Sequence, residues 1–147
     1  MLDTLGINYR IYTHAGEVLS LKQAAQERHQ TENQVIRSIL FRYDRIYFVM
    51  AIISGDRQIS WSALRNHLGA KRITLATDDE VLSTTGCKPG AVTPIGTAGL
   101  QKILADPGVF EPDEVSIGSG IRGTTIIMQS KDLIKAVPQL ELVKLSE

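Results

Sequence analysis

The chain has 147 residues, 43% of them hydrophobic and 22% charged, a composition that fits one folded globular domain and excludes a disordered chain. Its 16 basic residues balance 16 acidic ones, so no net field draws it onto nucleic acid or membrane, and any contact with RNA must be local. The single cysteine, Cys87, excludes an internal disulfide and a Cys-rich zinc site.

Along the chain, short strands alternate with short helices. Residues 1–5 read as a short helix ended by Gly6, and 8–13 (NYRIYT) as a strand rich in tyrosine and isoleucine. The start, MLDTLGINYR, lacks the basic residues and apolar stretch of a signal peptide, which predicts a cytoplasmic protein. Ser20 and Gln23 form a capping box that opens a helix over 21–29. Residues 35–43 and 46–54 are the clearest strands, joined through Asp44 and Arg45 as a hairpin. The apolar run at 46–53 (IYFVMAII) is far too short to cross a bilayer and suits a buried strand. Ser54-Gly55-Asp56 is a turn, 60–68 a helix stopped by Gly69, and 72–75 a short strand. Thr77 and Glu80 form a second capping box, opening a helix that runs into Gly86. Strands at 102–105, 115–117 and 124–129, a Ser130-capped helix to Ala136 and a strand at 140–145 complete the pattern. This order is neither regular βαβ winding nor all-β. It predicts a single compact α/β domain over 1–147, with a mixed, partly closed, barrel-like sheet and helices packed outside.

The stretch Gly86-Cys87-Lys88-Pro89-Gly90-Ala91-Val92-Thr93-Pro94-Ile95-Gly96 is the most constrained part of the sequence, since its prolines restrict φ while its glycines permit sharp turns. What such a loop presents is backbone: N–H donors aimed at a carbonyl, an oxyanion or a phosphate. The plain alternative is a tight surface connection. Arg37 interrupts an apolar strand, on the face shared by Val35, Ile39 and Phe41, with Ile36 and Leu40 on the other. A guanidinium there needs a carboxylate, backbone carbonyls or the wall of a polar cleft.

Gly118-Ser119-Gly120-Ile121-Arg122-Gly123 matches G-x-G-x-x-G, but a dinucleotide fingerprint needs a helix directly after it, and a β-branched run follows here. A tight turn between strands, with Arg122 at its tip, is the better reading. If this turn and the first loop converge, they enclose a backbone-lined pocket. Cys87 has no histidine near it in sequence and reads as a small packing residue rather than a nucleophile. His14 follows the first strand as an acid, base or ligand, while His29 and His67 fall on helix surfaces. These three histidines hold no i, i+4 pair, so neither a metal nor a cofactor is expected. Asp78, Asp79 and Glu80 read as helix-dipole and capping chemistry.

Taken together, these pieces resemble the YbaK family of aminoacyl-tRNA deacylases, which includes the editing insertion of bacterial prolyl-tRNA synthetases. The resemblance spans nearly the whole chain. It is carried by Thr13-His14 before the Ala24-Ala25 helix, the strand from Gln34 to Phe41, Gly55-Asp56, Thr85-Gly86, the Gly90 to Gly96 loop, Asp106, and Gly120 to Gly123. It implies an enzyme that hydrolyses the ester between a wrong amino acid and the tRNA 3′-terminal adenosine, with tRNA-Pro carrying alanine or cysteine expected first. Amides of the G-x-x-x-P loop would hold the aminoacyl carbonyl, and a ribose hydroxyl and a bound water would take part, so no protein nucleophile is required.

By analogy the catalytic set is Arg37, Gly90, Pro94 and Gly96, with His14, Ser38, Ala91, Val92, Thr93, Gly120 and Arg122 at the substrate. The expected partners are the tRNA 3′-end and an aminoacyl-tRNA synthetase, with no membrane. The family commonly has lysine where this chain has Arg37 and threonine where it has Ser38. Because the two cations differ in reach and donor geometry, a module that binds an aminoacyl-tRNA end or a synthetase without cleaving is the second function class. Nucleotide binding through 118–123 is the third.

Overall fold

A computed structural model describes the chain apart from residues 1, 3, 4, 17–19, 98, 99 and 101, and the helix expected over 1–5 falls mostly outside the described residues. In chain order the elements are β1 (Tyr9–Thr13), α1 (Leu21–Glu27), β2 (Ile36–Tyr43), β3 (Tyr47–Ser54), α2 (Trp61–Leu68), β4 (Ile73–Leu75), α3 (Asp78–Thr85), β5 (Ile103–Ala105), β6 (Glu114–Gly118), β7 (Thr124–Gln129), α4 (Leu133–Ala136) and β8 (Leu140–Leu142). Short 3₁₀ turns, which the sequence pattern did not reveal, lie at Glu32–Gln34, Pro107–Phe110 and Ser130–Asp132.

The caps read at Ser20 and Thr77 form, and Ser60, expected inside its helix, caps it instead. Ser20 Oγ accepts from Gln23 N at 3.0 Å and Ser60 Oγ from Ala63 N at 3.1 Å, while Thr77 and Glu80 exchange both bonds of a capping box. Gly69 and Gly86 end α2 and α3 with φ of 63° and 75°. The last strand ends at Leu142 rather than at 145, and two helix boundaries also differ from expectation. α1 stops at Glu27, with Arg28 as its cap and His29 at φ 57° just beyond. Ser130 does not cap α4; its hydroxyl donates to Pro112 O at 2.6 Å and opens a 3₁₀ turn instead.

The strands form two sheets rather than the one partly closed sheet expected. One is five-stranded in the order β4-β2-β3-β5-β8, the other three-stranded in the order β1-β7-β6. Neither closes on itself among the described residues, and an isolated parallel bridge between Val35 and Ser116 links them. The physical reason lies in β4. It is three residues long and pairs only with 41–43 of β2, and at the start of β2 a single bridge at Val35 joins it to β6 of the smaller sheet. The sheet therefore opens where a barrel would have continued.

Strand alternation gives the five-stranded sheet two buried faces. Ile36, Leu40, Met50, Ile52 and Ile103 pack with Val115, Ile117, Ile126 and Met128 of the smaller sheet, and with Val81 of α3 and Leu133 of α4. Phe41, Val49, Ala51, Ile53 and Leu104 pack with Leu64 of α2 and with Leu145. No helix among the described residues is long and apolar enough to cross a membrane.

Asp106, directly after β5, ties the C-terminal segment to this core. Its Oδ1 accepts from Leu145 N at 2.7 Å and Ser146 N at 2.9 Å, and its Oδ2 from Gly108 N at 3.0 Å. Burial pushes the carboxyl pKa upward, but the three backbone donors outweigh it and hold the group below its ordinary value. A depressed carboxylate stabilises the fold above its unfolded pKa, near about 3.9, and that contribution is lost as pH falls through the native value. Asp106→Ala is expected to cost about 1–3 kcal/mol at neutral pH, through the orphaned amides. The gap in urea midpoint between wild type and variant should narrow below about pH 4; a gap that widens there would contradict this account.

Candidate active site

A cleft of about 340 Å³ opens at the seam between the sheets, beside the start of β2. Its walls come from five places: β2 and the residue before it (Val35, Ile36, Arg37, Ser38), the loop after α3 (Gly90, Ala91, Val92), the β6–β7 end (Gly118, Ile121, Gly123, Thr124, Thr125), His14 after β1, and Arg28 at the end of α1. Both glycine-rich stretches therefore meet at one opening.

Their meeting depends on a missing side chain. A Cβ built on Gly118 would fall 2.2 Å from Val92 O, so the first loop lies directly on the end of β6. A Cβ at Gly120 would sit 3.6 Å from Thr93 Cγ2 and 3.8 Å from Cys87 Sγ, in ordinary contact. Arg122 fastens the outside of the junction, donating from Nε and Nη2 to Pro89 O at 3.2 and 2.9 Å. Gly123 O accepts from His14 N at 2.8 Å and holds the chain after β1 against the same turn.

Within the loop, some donors are already engaged. Ala91 N donates to Lys88 O at 3.0 Å and Ile95 N to Thr93 Oγ1 at 3.2 Å. Pro94 has no N–H. The expectation that the whole 90–96 segment offers amides is therefore corrected: within this loop, the cleft-lining amides without an acceptor among the described residues are those of Gly90 and Val92. Thr93, Pro94 and Gly96 lie behind the lining and shape the loop. Thr97 Oγ1 donates to Pro94 O at 2.8 Å, and Gly96 turns at φ 82°. Gly120 and Arg122 likewise stand outside the lining, in supporting positions. Cys87 is buried beneath the loop.

On β2 the alternation separates two neighbours. Arg37 faces the side of Ile39 and Phe41, and its Nε donates to Gly55 O at 2.7 Å while Nη2 donates to Arg57 O. It borders the cleft, but these donors hold the turn after β3. Burial lowers its pKa, opposed by Asp56, and it stays charged at any ordinary pH. Ser38 faces the opposite way, with Ile36 and Leu40. Its Oγ is buried in the cleft wall and has no hydrogen-bond partner among the described residues. A hydroxyl buried without a partner costs about 1–3 kcal/mol, which a ligand contact would recover.

The sequence reading missed Arg28. Its Nε donates to His14 Nε2 at 3.0 Å and its Nη1 to Ser116 Oγ at 2.9 Å. Since arginine has no acceptor, His14 Nε2 must be unprotonated, which leaves the imidazole proton on Nδ1, 3.3 Å from Glu27 Oε1. Burial lowers the Arg28 pKa, opposed by Glu27 and Tyr12. The only signal in the sequence was a charged residue closing an alanine-lined helix, a pattern that surface arginines share. Among the described residues no three His, Cys, Asp or Glu side chains gather as a metal would require.

The chain is similar to several known proteins. The model of the aminoacyl-tRNA editing domain family matches residues 15–136. The multifunctional Ser/Thr-tRNA deacylase ProXp-y of Escherichia coli K12 is 30% identical over 148 residues, covering 97% of this chain and 87% of that protein. The proline–tRNA ligase of Pseudothermotoga lettingae is 32% identical over 105 residues, which are 71% of this chain and 18% of the ligase. A crystal structure of a candidate trans-editing enzyme for prolyl tRNA synthetase has the same fold. It superposes with a TM-score of 0.88 at 21% identity, covering 99% of this chain and 92% of that one.

The contact between the two loops gives a direct check. Gly118→Ala must displace Val92, at a cost of about 1–3 kcal/mol for an overpacked site. Gly16→Ala, where a Cβ would meet nothing within 4 Å, serves as the control and should stay within about 0.5 kcal/mol. Equal urea midpoints for the two variants would mean that the loop does not rest on Gly118.

Proposed function

The chain belongs to the aminoacyl-tRNA editing domain family, whose members are aminoacyl-tRNA deacylases, and from this we propose that it clears mischarged tRNA in trans. The observation that carries the reading is the cleft itself. It has backbone amides without acceptors at Gly90 and Val92, a buried hydroxyl without a partner at Ser38, and no assembled protein nucleophile among its described lining residues.

In this reading the aminoacyl carbonyl lies against the Gly90 and Val92 amides. As water attacks, negative charge develops on the carbonyl oxygen, and rigid N–H donors stabilise it without reorganising. Deleting one such donor typically costs about a hundredfold in rate. The attacking water is oriented by a ribose hydroxyl of the substrate, so the enzyme supplies position and electrostatics rather than a covalent intermediate. Ser38 Oγ takes a polar group of the aminoacyl moiety. Arg37 acts at one remove, by holding Gly55 and Arg57 and so keeping the start of β2 in place. Pro94 and Gly96 act through the shape of the loop, and Thr93, Gly120 and Arg122 through its support.

The substrate class is a small aminoacyl group on tRNA. Alanine or cysteine on tRNA-Pro is the expectation from the family resemblance, and serine or threonine is suggested by the name of the E. coli relative. The cleft has a volume of about 340 Å³, and a buried hydroxyl in its wall favours the hydroxyl-bearing pair. A site that hydrogen-bonds a substrate hydroxyl discriminates against an analogue lacking it far more strongly than a methylene-sized difference allows.

The test is a deacylation panel using tRNAs charged with Ala, Cys, Ser and Thr, each compared with the correctly charged tRNA. Release above the buffer rate is expected for at least one mischarged species, and Ser38→Ala should flatten the preference between hydroxyl and non-hydroxyl amino acids. No release across the panel would leave binding without cleavage as the function, the reading motivated by arginine at position 37. Arg37→Lys and Arg37→Ala separate the two further. If Arg37 is a brace, Arg37→Ala lowers stability by about 2 kcal/mol through two lost charge-assisted bonds, and activity falls with it. Arg37→Lys gaining activity that wild type lacks would instead mark a module that had lost catalysis.

A further inference from the structure

Arg28 brings a positive charge to the cleft with no carboxylate in direct contact among the described residues, although Glu27, bonded to His14, offsets part of it. Its two identified acceptors, His14 Nε2 and Ser116 Oγ, are both neutral. No carboxylate among the described residues lies within ion-pair distance of it, and Glu27 Oε1 is directed to His14 Nδ1 instead. Its Nη2 group has no acceptor among the described residues. A partly buried guanidinium is normally paired, because desolvation makes an unmatched charge expensive. Arg37, the other cation that borders the cleft, has given Nε and Nη2 to the carbonyls of Gly55 and Arg57.

The chemistry of the proposed substrate narrows what the charge meets. An aminoacyl ester carries an α-ammonium group, which a guanidinium repels. Its carbonyl oxygen becomes anionic only during reaction. The nearest permanent anion is the phosphodiester on the 5′ side of the terminal nucleoside. We infer that Arg28, braced by His14 and Ser116, binds that phosphodiester through its free Nη2 edge and so sets how deeply the 3′-end enters the cleft.

The bracing has a chemical logic. Nε and Nη1 are held by acceptors from two separate places, His14 just after β1 and Ser116 on β6, so the planar fork is preorganised toward one edge. His14 is then a positioning residue, and its Nε2 lone pair, held free by the Nδ1–H directed to Glu27, is what orients the arginine. This inference rests on the deacylase reading for its substrate, but not for its test.

The experiment uses the full chain and two small esters, a 3′-O-aminoacyl adenosine and the same compound bearing a 5′-phosphate. Wild type is expected to favour the phosphorylated ester at least about tenfold in kcat/KM, mainly through KM. Arg28→Gln should erase that ratio, and Arg28→Lys should keep part of it. A ratio near one in wild type, or a ratio that survives in Arg28→Gln, overturns the assignment. An equal fall in kcat on both esters also overturns it, by placing Arg28 at the developing oxyanion.

Should neither ester be cleaved, the deacylase reading fails separately, and calorimetry with adenosine and AMP decides the present point. Tighter binding of AMP by wild type, lost in Arg28→Gln, supports the anion site; equal binding defeats it. If Arg28→Gln does not fold, Arg28→Lys takes its place. A smaller preference for the phosphorylated compound than in wild type is then expected, and an unchanged preference overturns the assignment.

Discussion

The contact of the Val92 carbonyl with Gly118 is the constraint on which the site depends. A side chain at 118 would have to occupy the place of that oxygen, 2.2 Å from where its Cβ would lie. Glycine at the end of β6 lets the loop after α3 settle onto the smaller sheet, and that settling brings Gly90 and Val92 to the same opening as β2. Arg122 on Pro89 and His14 on Gly123 then secure the junction from two sides. The loop needs no catalytic side chain of its own. What it needs is a rigid seat, since preorganised amides stabilise a developing charge only when they do not have to move.

A second constraint is the shortness of β4. A longer strand would have covered β2 at 36–38 and removed the cleft edge. Because β4 stops at Leu75, the chain turns into the Thr77-capped α3 and leads to the loop that walls the cleft. The fold thus leaves an opening in its sheet and uses the following helix and loop to line it. An unflanked β edge is ordinarily a hazard for unwanted pairing. Here the start of β2 is bridged to β6 at Val35, and Arg28 and the loop share the cleft lining beside it.

The structure also divides labour among the cations. Arg57, lying over Gly108 and near Asp106, and Arg37, bound to the Gly55 and Arg57 carbonyls, form one continuous brace that joins β2, the turn after β3 and the C-terminal segment. Arg28 forms another system with His14, Glu27 and Ser116. The first is carbonyl- and carboxylate-bound and structural in character. The second faces the cleft with donors to spare.

Local physical chemistry made much of this legible from residues alone. Ser20 and Thr77 announce helix starts because an oxygen at the cap satisfies an otherwise orphaned amide, whatever the rest of the chain does. The alternation in β2 and β3, the αL glycines at 69 and 86, and the order of motifs that places the chain in its family are likewise properties of short segments. Ser130 misled because a hydroxyl can serve a cap or a distant carbonyl, and Pro112 is brought to it only by the folded chain. Tertiary structure alone decided three further matters: that the sheet divides in two, that Arg37 serves carbonyls, and that Arg28 reaches the cleft across a separation of 88 residues to Ser116. The reason is common to all three. Hydrogen-bond partners remote in sequence are selected by packing, and a charged side chain carries no mark of which partner the fold will bring within reach.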